Sequence, residues 1–259
     1  MLFQVSDTNI FIIGSIHRQP EGFGLPSQFL SAISEADECY FESAPGGLPS
    51  AKEAKYPIWK PLPFHIPFNL FRATLGLCQR LELPRRDLGE VCFCKPWWIY
   101  LRLQDILKNR AGISGKNSID SQLWEFARKS NKALFTLDSK IWEMFDSMPI
   151  SEQIYTLDYL ASDPDQEVAD AKSLHDNWLK GDEKAIADAL ETGLKQTPVS
   201  TTRLILERNQ KWFPTLLRAV EAKKKAVFVV GVLHVVGRGS LKELLKAEPY
   251  SRDLIRIQP

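Results

Sequence analysis

The chain has 259 residues, 44% apolar and 25% charged, with 14 Gly, 16 Pro and four Cys, proportions that exclude a disordered chain, a collagen-like repeat and a disulfide-stapled mini-domain. Lys and Arg total 33 against 32 Asp and Glu, a formal net charge of +1. The basic excess typical of nucleic-acid binding is therefore missing. No uninterrupted apolar run reaches the roughly 18 residues of a spanning helix. The start, Met1-Leu2-Phe3-Gln4-Val5-Ser6-Asp7, lacks the basic, apolar and small-residue pattern of a leader. Cys39, Cys78, Cys92 and Cys94 lack zinc-type spacing. These features predict a cytoplasmic protein with reduced thiols, no transmembrane segment and no nucleic-acid partner.

In chain order, Asn9 to Ile16 is a short β-branched and aromatic run that reads as a buried strand. A helix starts at Pro26-Ser27, with Phe29, Leu30 and Ile33 at helical spacing. Asp37 to Glu42 then reads as a second strand, ended by Ala44-Pro45-Gly46-Gly47. Strand, helix and strand in this order predict a βαβ unit and a parallel pair. Pro45 to Pro67 holds six prolines with Tyr56, Trp59, Phe64 and His65 between them. Proline removes backbone donors, so no regular element is expected there. The stretch reads either as a lid or as an arm packing its aromatics on the body.

Helices are predicted over 96–109, 119–130, 151–161, 166–180, 182–193 and 199–222, with a strand at 132–137 between them. Ala226 to Leu233 is almost wholly apolar, the pattern of a strand buried on both faces. Ser240-Leu241 starts a helix, and Leu254 to Ile257 reads as a closing edge strand. The expected fold is α/β: a mostly parallel central sheet formed by the N- and C-terminal parts, with a helix-rich middle insertion. One domain is expected over 1–259, containing a proline-rich arm at 45–95 and a mainly helical region at 96–222. Lys223-Lys224-Lys225 reads as a solvated helix end, Trp97-Trp98 as core packing, and His175 as a solvated residue on a polar helix.

The most informative feature is an internal echo. Phe11-Ile12-Ile13-Gly14-Ser15-Ile16-His17 matches Phe228-Val229-Val230-Gly231-Val232-Leu233-His234 in type everywhere except Ser15 against Val232. Each segment is an apolar strand followed by Gly-x-x-His. Glycine permits close approach of a ligand or another backbone, and the carboxyl ends of parallel strands are where open α/β sheets bind ligands. Two of the four histidines share this context. Glu42, at the end of the second strand, adds a carboxylate at the same edge. Two histidines and a glutamate can hold a divalent metal with open positions. The same trio can also act without metal, with Glu42 as general base and a histidine as acid or orienter.

These segments belong to an ordered set: Gly14-Ser15-Ile16-His17, Tyr40-Phe41-Glu42, Ser118-Ile119-Asp120, Trp178-Leu179-Lys180-Gly181-Asp182, Arg208-Asn209-Gln210-Lys211-Trp212 and Gly231-Val232-Leu233-His234. In that order they resemble the TraB/GumN family, which is related to the TIKI metalloproteases and more distantly to erythromycin esterase-like and ChaN-like haem-binding proteins. The resemblance runs from Leu2 to about Leu244. In two places the chain departs from the pattern: Ser118 stands for the usual glycine, and Asp138 where glutamate is common.

The resemblance implies a hydrolase acting on a peptide or small acyl or ester substrate. Its catalytic group would comprise His17, Glu42, Asp120, Arg208, Asn209 and His234. A divalent ion of the Mn, Co or Zn type would sit on His17, Glu42 and His234. Arg208 would orient Glu42, hold a substrate carboxylate or, with Asn209, stabilise an oxyanion. Asp120 would either orient a histidine through its second ring nitrogen or cap the helix that follows. The competing expectation is a non-catalytic binding or regulatory protein using the same pocket for a small molecule, an iron compound or a signalling peptide.

Overall fold

The computed structural model describes residues 1–20, 22–46, 50–57, 60–115, 118–139, 141–247 and 249–257. The chain separates into two compact units. Met1–Pro45, Ser114–Ile141 and Ser173–Pro259 form the first, and Gly46–Ile113 with Trp142–Lys172 the second. The predicted helical middle is thus shared: residues 114–141 and 173–222 belong with the sheet.

The first unit is built on β1 (Leu2–Val5), β2 (Ile10–Ser15), β3 (Glu38–Phe41), β4 (Ala133–Thr136), β5 (Ala226–Gly231) and β6 (Leu254–Ile257). Their order across the sheet is β4-β3-β5-β2-β1-β6. The four strands from β4 to β2 are parallel, while β1 runs antiparallel to both β2 and β6. This is the expected mostly parallel α/β sheet formed by the two ends of the chain.

Two details differ from expectation. Strand β1 is not evident from a four-residue apolar run; it forms by folding back from β2 through a turn in which Asp7 takes a left-handed φ of 56° and Thr8 Oγ1 donates to Val5 O. The βαβ strands β2 and β3 are also not neighbours, because β5 lies between them. Every residue of β5 is buried, and a strand with no polar face is most stable flanked on both sides inside a covered sheet.

The register aligns the carboxyl ends of the parallel strands. Ser15 pairs with Gly231, and Phe41 pairs with both Val229 and Thr136. The ladder continues beyond the strands, where Leu137 N donates to Phe41 O and Asp138 N to Glu42 O, both at 2.8 Å. His17, Glu42, Asp138 and Gly231 therefore leave the sheet at one edge. The sheet packs its Ile12, Ile13, Phe41 and Val229 against helices that include Ser27–Glu35, Ile119–Lys129 and Arg208–Glu221, which supply Phe29, Leu123 and Leu216.

The helix expected over 199–222 has three parts: Pro198–Thr201, a π-helical stretch Thr202–Glu207, and Arg208–Glu221. A π turn widens the coil and shifts the phase of everything after it. In the helix that follows, Arg208, Asn209 and Trp212 share the buried face with Phe213 and Leu216.

The second unit is helical. Phe68–Arg80, Arg85–Val91, Pro96–Arg110 and Ile150–Ser162 enclose Leu62, Leu77, Trp97, Ile99, Leu103, Leu157 and Leu160. Trp97 and Trp98 are buried, as a packing role requires. The proline-rich stretch holds short 3-10 turns at Ala51–Ala54 and Leu62–Phe64, and the rings of Tyr56 and His65 stack at 3.8 Å. Pro49, Trp59 and the last glycine of Pro45-Gly46-Gly47 lie outside the described residues. All four cysteines are free. Among the described residues, no helix is long and apolar enough to cross a membrane.

Candidate active site at the carboxyl edge of the sheet

The aligned strand ends bring Glu42 and Gly231 together. Glu42 Oε1 accepts from Gly231 N at 2.5 Å. A Cβ on Gly231 would stand 3.1 Å from that oxygen and 3.6 Å from both His17 Nε2 and His234 Cδ2. The glycine of the second Gly-x-x-His is thus the point on which the three expected groups converge. His234 itself lies one 3-10 turn beyond the strand, in Val232–His234.

Arg208 completes the group. Its Nη2 donates to Glu42 Oε2 at 2.6 Å, its Nε to Asp138 Oδ2 at 2.8 Å and its Nη1 to Leu204 O at 3.0 Å. The same Nη1 lies 3.2 Å from His234 Nε2. Its guanidinium carbon sits 4.4 Å from the centre of the Trp212 ring, a cation–π contact. Lys211 Nζ donates to the other oxygen of Asp138 at 2.6 Å. Glu42, Asp138, Arg208 and His234 are buried, whereas the Lys211 side chain is 62% exposed.

The tautomer of His234 follows from its partners. Asn209 Nδ2 donates to Gly239 O at 2.8 Å, which turns Asn209 Oδ1 toward His234 Nδ1, also 2.8 Å away. Nδ1 must carry the proton, and Nε2 presents its lone pair to Arg208. Burial drives His234 down to about 4, with the Arg208 charge acting the same way and Glu42 opposing. Its enclosure, with Nε2 facing a guanidinium, favours the neutral imidazole in the same direction. Asn209, expected as an oxyanion donor, has both polar atoms engaged in this chain.

His17 is held in the opposite state. Ser15 Oγ donates to Asp120 Oδ1 at 2.6 Å, and Asp120 Oδ2 lies 3.1 Å from His17 Nδ1. The Asp120 carboxylate raises His17 to about 9, with help from Glu42 and against the Arg208 charge. The His17 side chain is 65% exposed, so solvent moderates the interaction. Asp120 does not cap its helix; that role belongs to Ser118, whose Oγ accepts from Ser121 N at 3.2 Å. The serine that departs from the family pattern therefore starts the helix that carries Asp120.

Burial works against charge on Glu42 but is outweighed by His234, Arg208, His17 and the Gly231 N–H, and its carboxyl is held well below the usual range. Burial is likewise outweighed for Asp138 by its bonds to Lys211 and Arg208. The divalent ion expected on His17, Glu42 and His234 does not fit this arrangement. Both ring nitrogens of His234 and both oxygens of Glu42 face protein partners, and the Arg208 guanidinium bridges Glu42 Oε2 and His234 Nε2. Among the described residues, no group of three or more His, Cys, Asp or Glu side chains is placed to hold a metal ion.

Other expected residues serve the fold. Trp178 Nε1 donates to Gly14 O at 2.7 Å. Gly181 has a φ of 66°, a Cβ there would overlap the Arg256 guanidinium, and Asp182 caps the next helix. His175, expected in solvent, is buried between Phe23 and Trp178. Its sequence neighbours Lys172, Asp176 and Lys180 are polar, but position 175 shares a helix face with the buried Trp178. Ser15, Lys211 and Trp212 lie within the ordered segments but carried no expected role; further signals for them are the single mismatch in the internal echo and the one-turn spacing of Lys211 and Trp212 from Arg208.

A parallel-sheet edge bearing a glutamate, an arginine and two Gly-x-x-His segments defines an α/β protein with a polar, partly solvent-facing charged site. The chain belongs to the TraB/PrgY/gumN family, whose model matches residues 1–252. No curated protein and no solved structure matches it.

Proposed function

We propose that the protein is a hydrolase of the TraB/GumN–TIKI type, cleaving a peptide or other acyl or ester bond at the edge occupied by Glu42, Arg208, His17 and His234. The observation that carries the reading is geometric: Glu42 Oε1, His17 Nε2 and His234 Cδ2 all lie within 3.6 Å of the point a Cβ on Gly231 would occupy, with Arg208 Nη2 2.6 Å from Glu42 Oε2. The shifts of the two histidines in opposite directions, His17 upward and His234 downward, accord with an acid–base site.

In this reading Glu42 accepts the proton of an attacking water, and His17, protonated and open to solvent, donates to the leaving group. Arg208 supplies positive charge for the developing oxyanion. When Arg208 shifts its hydrogen bonding from Glu42 toward the substrate oxygen, Glu42 becomes more basic at the moment it must take a proton. The chain supplies its own cation in Arg208.

The second reading, a binding protein without turnover, is favoured by one observation: Glu42, Arg208, Asn209 and His234 satisfy one another internally. The two are separated by assaying the purified chain against a panel of peptide and ester substrates over a range of pH, beside His234→Ala. Turnover that is lost in the variant supports the hydrolase. Saturable binding without turnover at any pH supports the second reading and removes the first.

A further inference from the structure

We propose that the second unit carries a docking surface for an anionic lipid bilayer, formed by Phe64, Phe68, Lys60 and Arg72. Phe64 and Phe68 are 76% and 67% exposed, the most exposed large apolar side chains of the described residues. Two phenyl rings left in water four residues apart are costly unless something covers them.

The local structure holds these rings outward on a stiff support. Leu62, Ile66 and Leu70 alternate with them and are buried in the core of their own unit. Pro61, Pro63 and Pro67 fix the backbone between them. Phe64 N donates to Pro61 O, His65 N to Leu62 O and Phe71 N to Pro67 O, which ties the segment into successive turns. His65 Nε2 lies 3.2 Å from Lys60 O, and its ring stacks on Tyr56, pinning the base of the turn. A segment already ordered in this way loses little freedom on binding.

The occupant is indicated by charge. Arg72 follows Phe68 by one helical turn and shares its face, and Lys60 sits at the base of the Phe64 turn. Both are exposed, and neither forms an ion pair among the described residues. Over residues 52–72 the basic residues are Lys52, Lys55, Lys60 and Arg72, against Glu53 alone. Aromatic rings flanked by unpaired cations match the acyl–headgroup boundary of an anionic bilayer, where rings enter and cations meet lipid phosphates. A second copy of the chain is a poor occupant, because two-fold contact would set Lys60 and Arg72 against like charges.

The test is co-sedimentation of the full chain with vesicles of phosphatidylcholine alone and of equal phosphatidylcholine and phosphatidylglycerol. Partitioning onto the anionic vesicles is expected, falling with added salt, with little onto the neutral ones. The double variants Phe64→Ser/Phe68→Ser and Lys60→Glu/Arg72→Glu should each lower it by about tenfold or more. All four side chains are exposed, so unchanged circular dichroism and melting are expected and serve as the folding control. Equal partitioning onto both vesicle types, or wild-type binding by both variants, overturns the proposal. So does a dimer in sedimentation velocity that Phe64→Ser/Phe68→Ser converts to monomer, since a second copy would then cover the face.

Discussion

Arg208 and Glu42 lie 166 positions apart in the chain and meet across 2.6 Å in the buried interior of the first unit. The pair joins the helix that follows the π turn to the carboxyl edge of the sheet, and Asp138 flanks the guanidinium on its other side. One buried cation between two buried carboxylates sets the electrostatics of the whole site.

Removing that cation leaves Glu42 and Asp138 without their shared partner. Arg208→Ala should lower stability by about 3–5 kcal/mol, the usual cost of stranding a buried charge. Urea denaturation measures it, and a loss below about 1 kcal/mol would show that the carboxylates find compensation elsewhere.

The two histidines give opposite pH signatures. His17 is raised to about 9 from an ordinary 6.5. Its contribution to stability is complete below pH 6.5 and is lost as pH rises through 9; activity that uses it as an acid fades over the same basic limb. Asp120→Asn should move that limb of kcat/KM downward toward 6.5. His234 is depressed to about 4, so its contribution is complete above pH 6.5 and is lost as pH falls toward 4. Melting temperatures of wild type and His234→Gln across that acid window should converge as pH falls.

Asn209 sets the tautomer of His234 through its bond to Gly239 O. Asn209→Asp places a carboxylate against Nδ1–H and should raise the His234 pKa by at least about one unit, followed by NMR of the ring protons. An unmoved titration would mean that Asn209 does not control the imidazole.

Gly231→Ala inserts a methyl 3.1 Å from Glu42 Oε1. The φ at Gly231 is an ordinary −57°, so the backbone tolerates alanine and the strain falls on the site. Activity should drop by about tenfold or more while the melting temperature changes little, a split that a purely structural glycine would not produce.

With Arg208 at the centre of the site, chelation by EDTA should leave turnover unchanged, and Mn²⁺, Co²⁺ or Zn²⁺ should not raise the melting temperature. Loss of activity on chelation, restored by one of these ions, would show that the side chains rearrange around a metal.

Much of the site could be read from the sequence because it hangs on strand ends. The apolar runs before Gly14 and Gly231 announce buried parallel strands, and in such a sheet the residues just beyond the strands share an edge. His17, Glu42 and His234 follow from that rule. Asp138 was visible only as a departure from a pattern, and Lys211 only as a member of the Arg208–Trp212 segment with no role attached, because helix phase decides where such residues point. The π turn at 202–207 changes that phase, and nothing in Thr202-Arg203-Leu204-Ile205-Leu206-Glu207 announces it. Strand β1 escaped notice because its four residues gain their partners only from both ends of the chain, through β2 and β6.

Comparing Glu42→Gln with wild type on the best substrate of the panel tests the central claim most directly. Glutamine keeps the size of the side chain and one acceptor, so an intact circular dichroism spectrum is the control. Turnover should fall by about a hundredfold or more. A correctly folded Glu42→Gln protein that hydrolyses substrate at the wild-type rate would contradict the assignment of this sheet edge as a hydrolytic site.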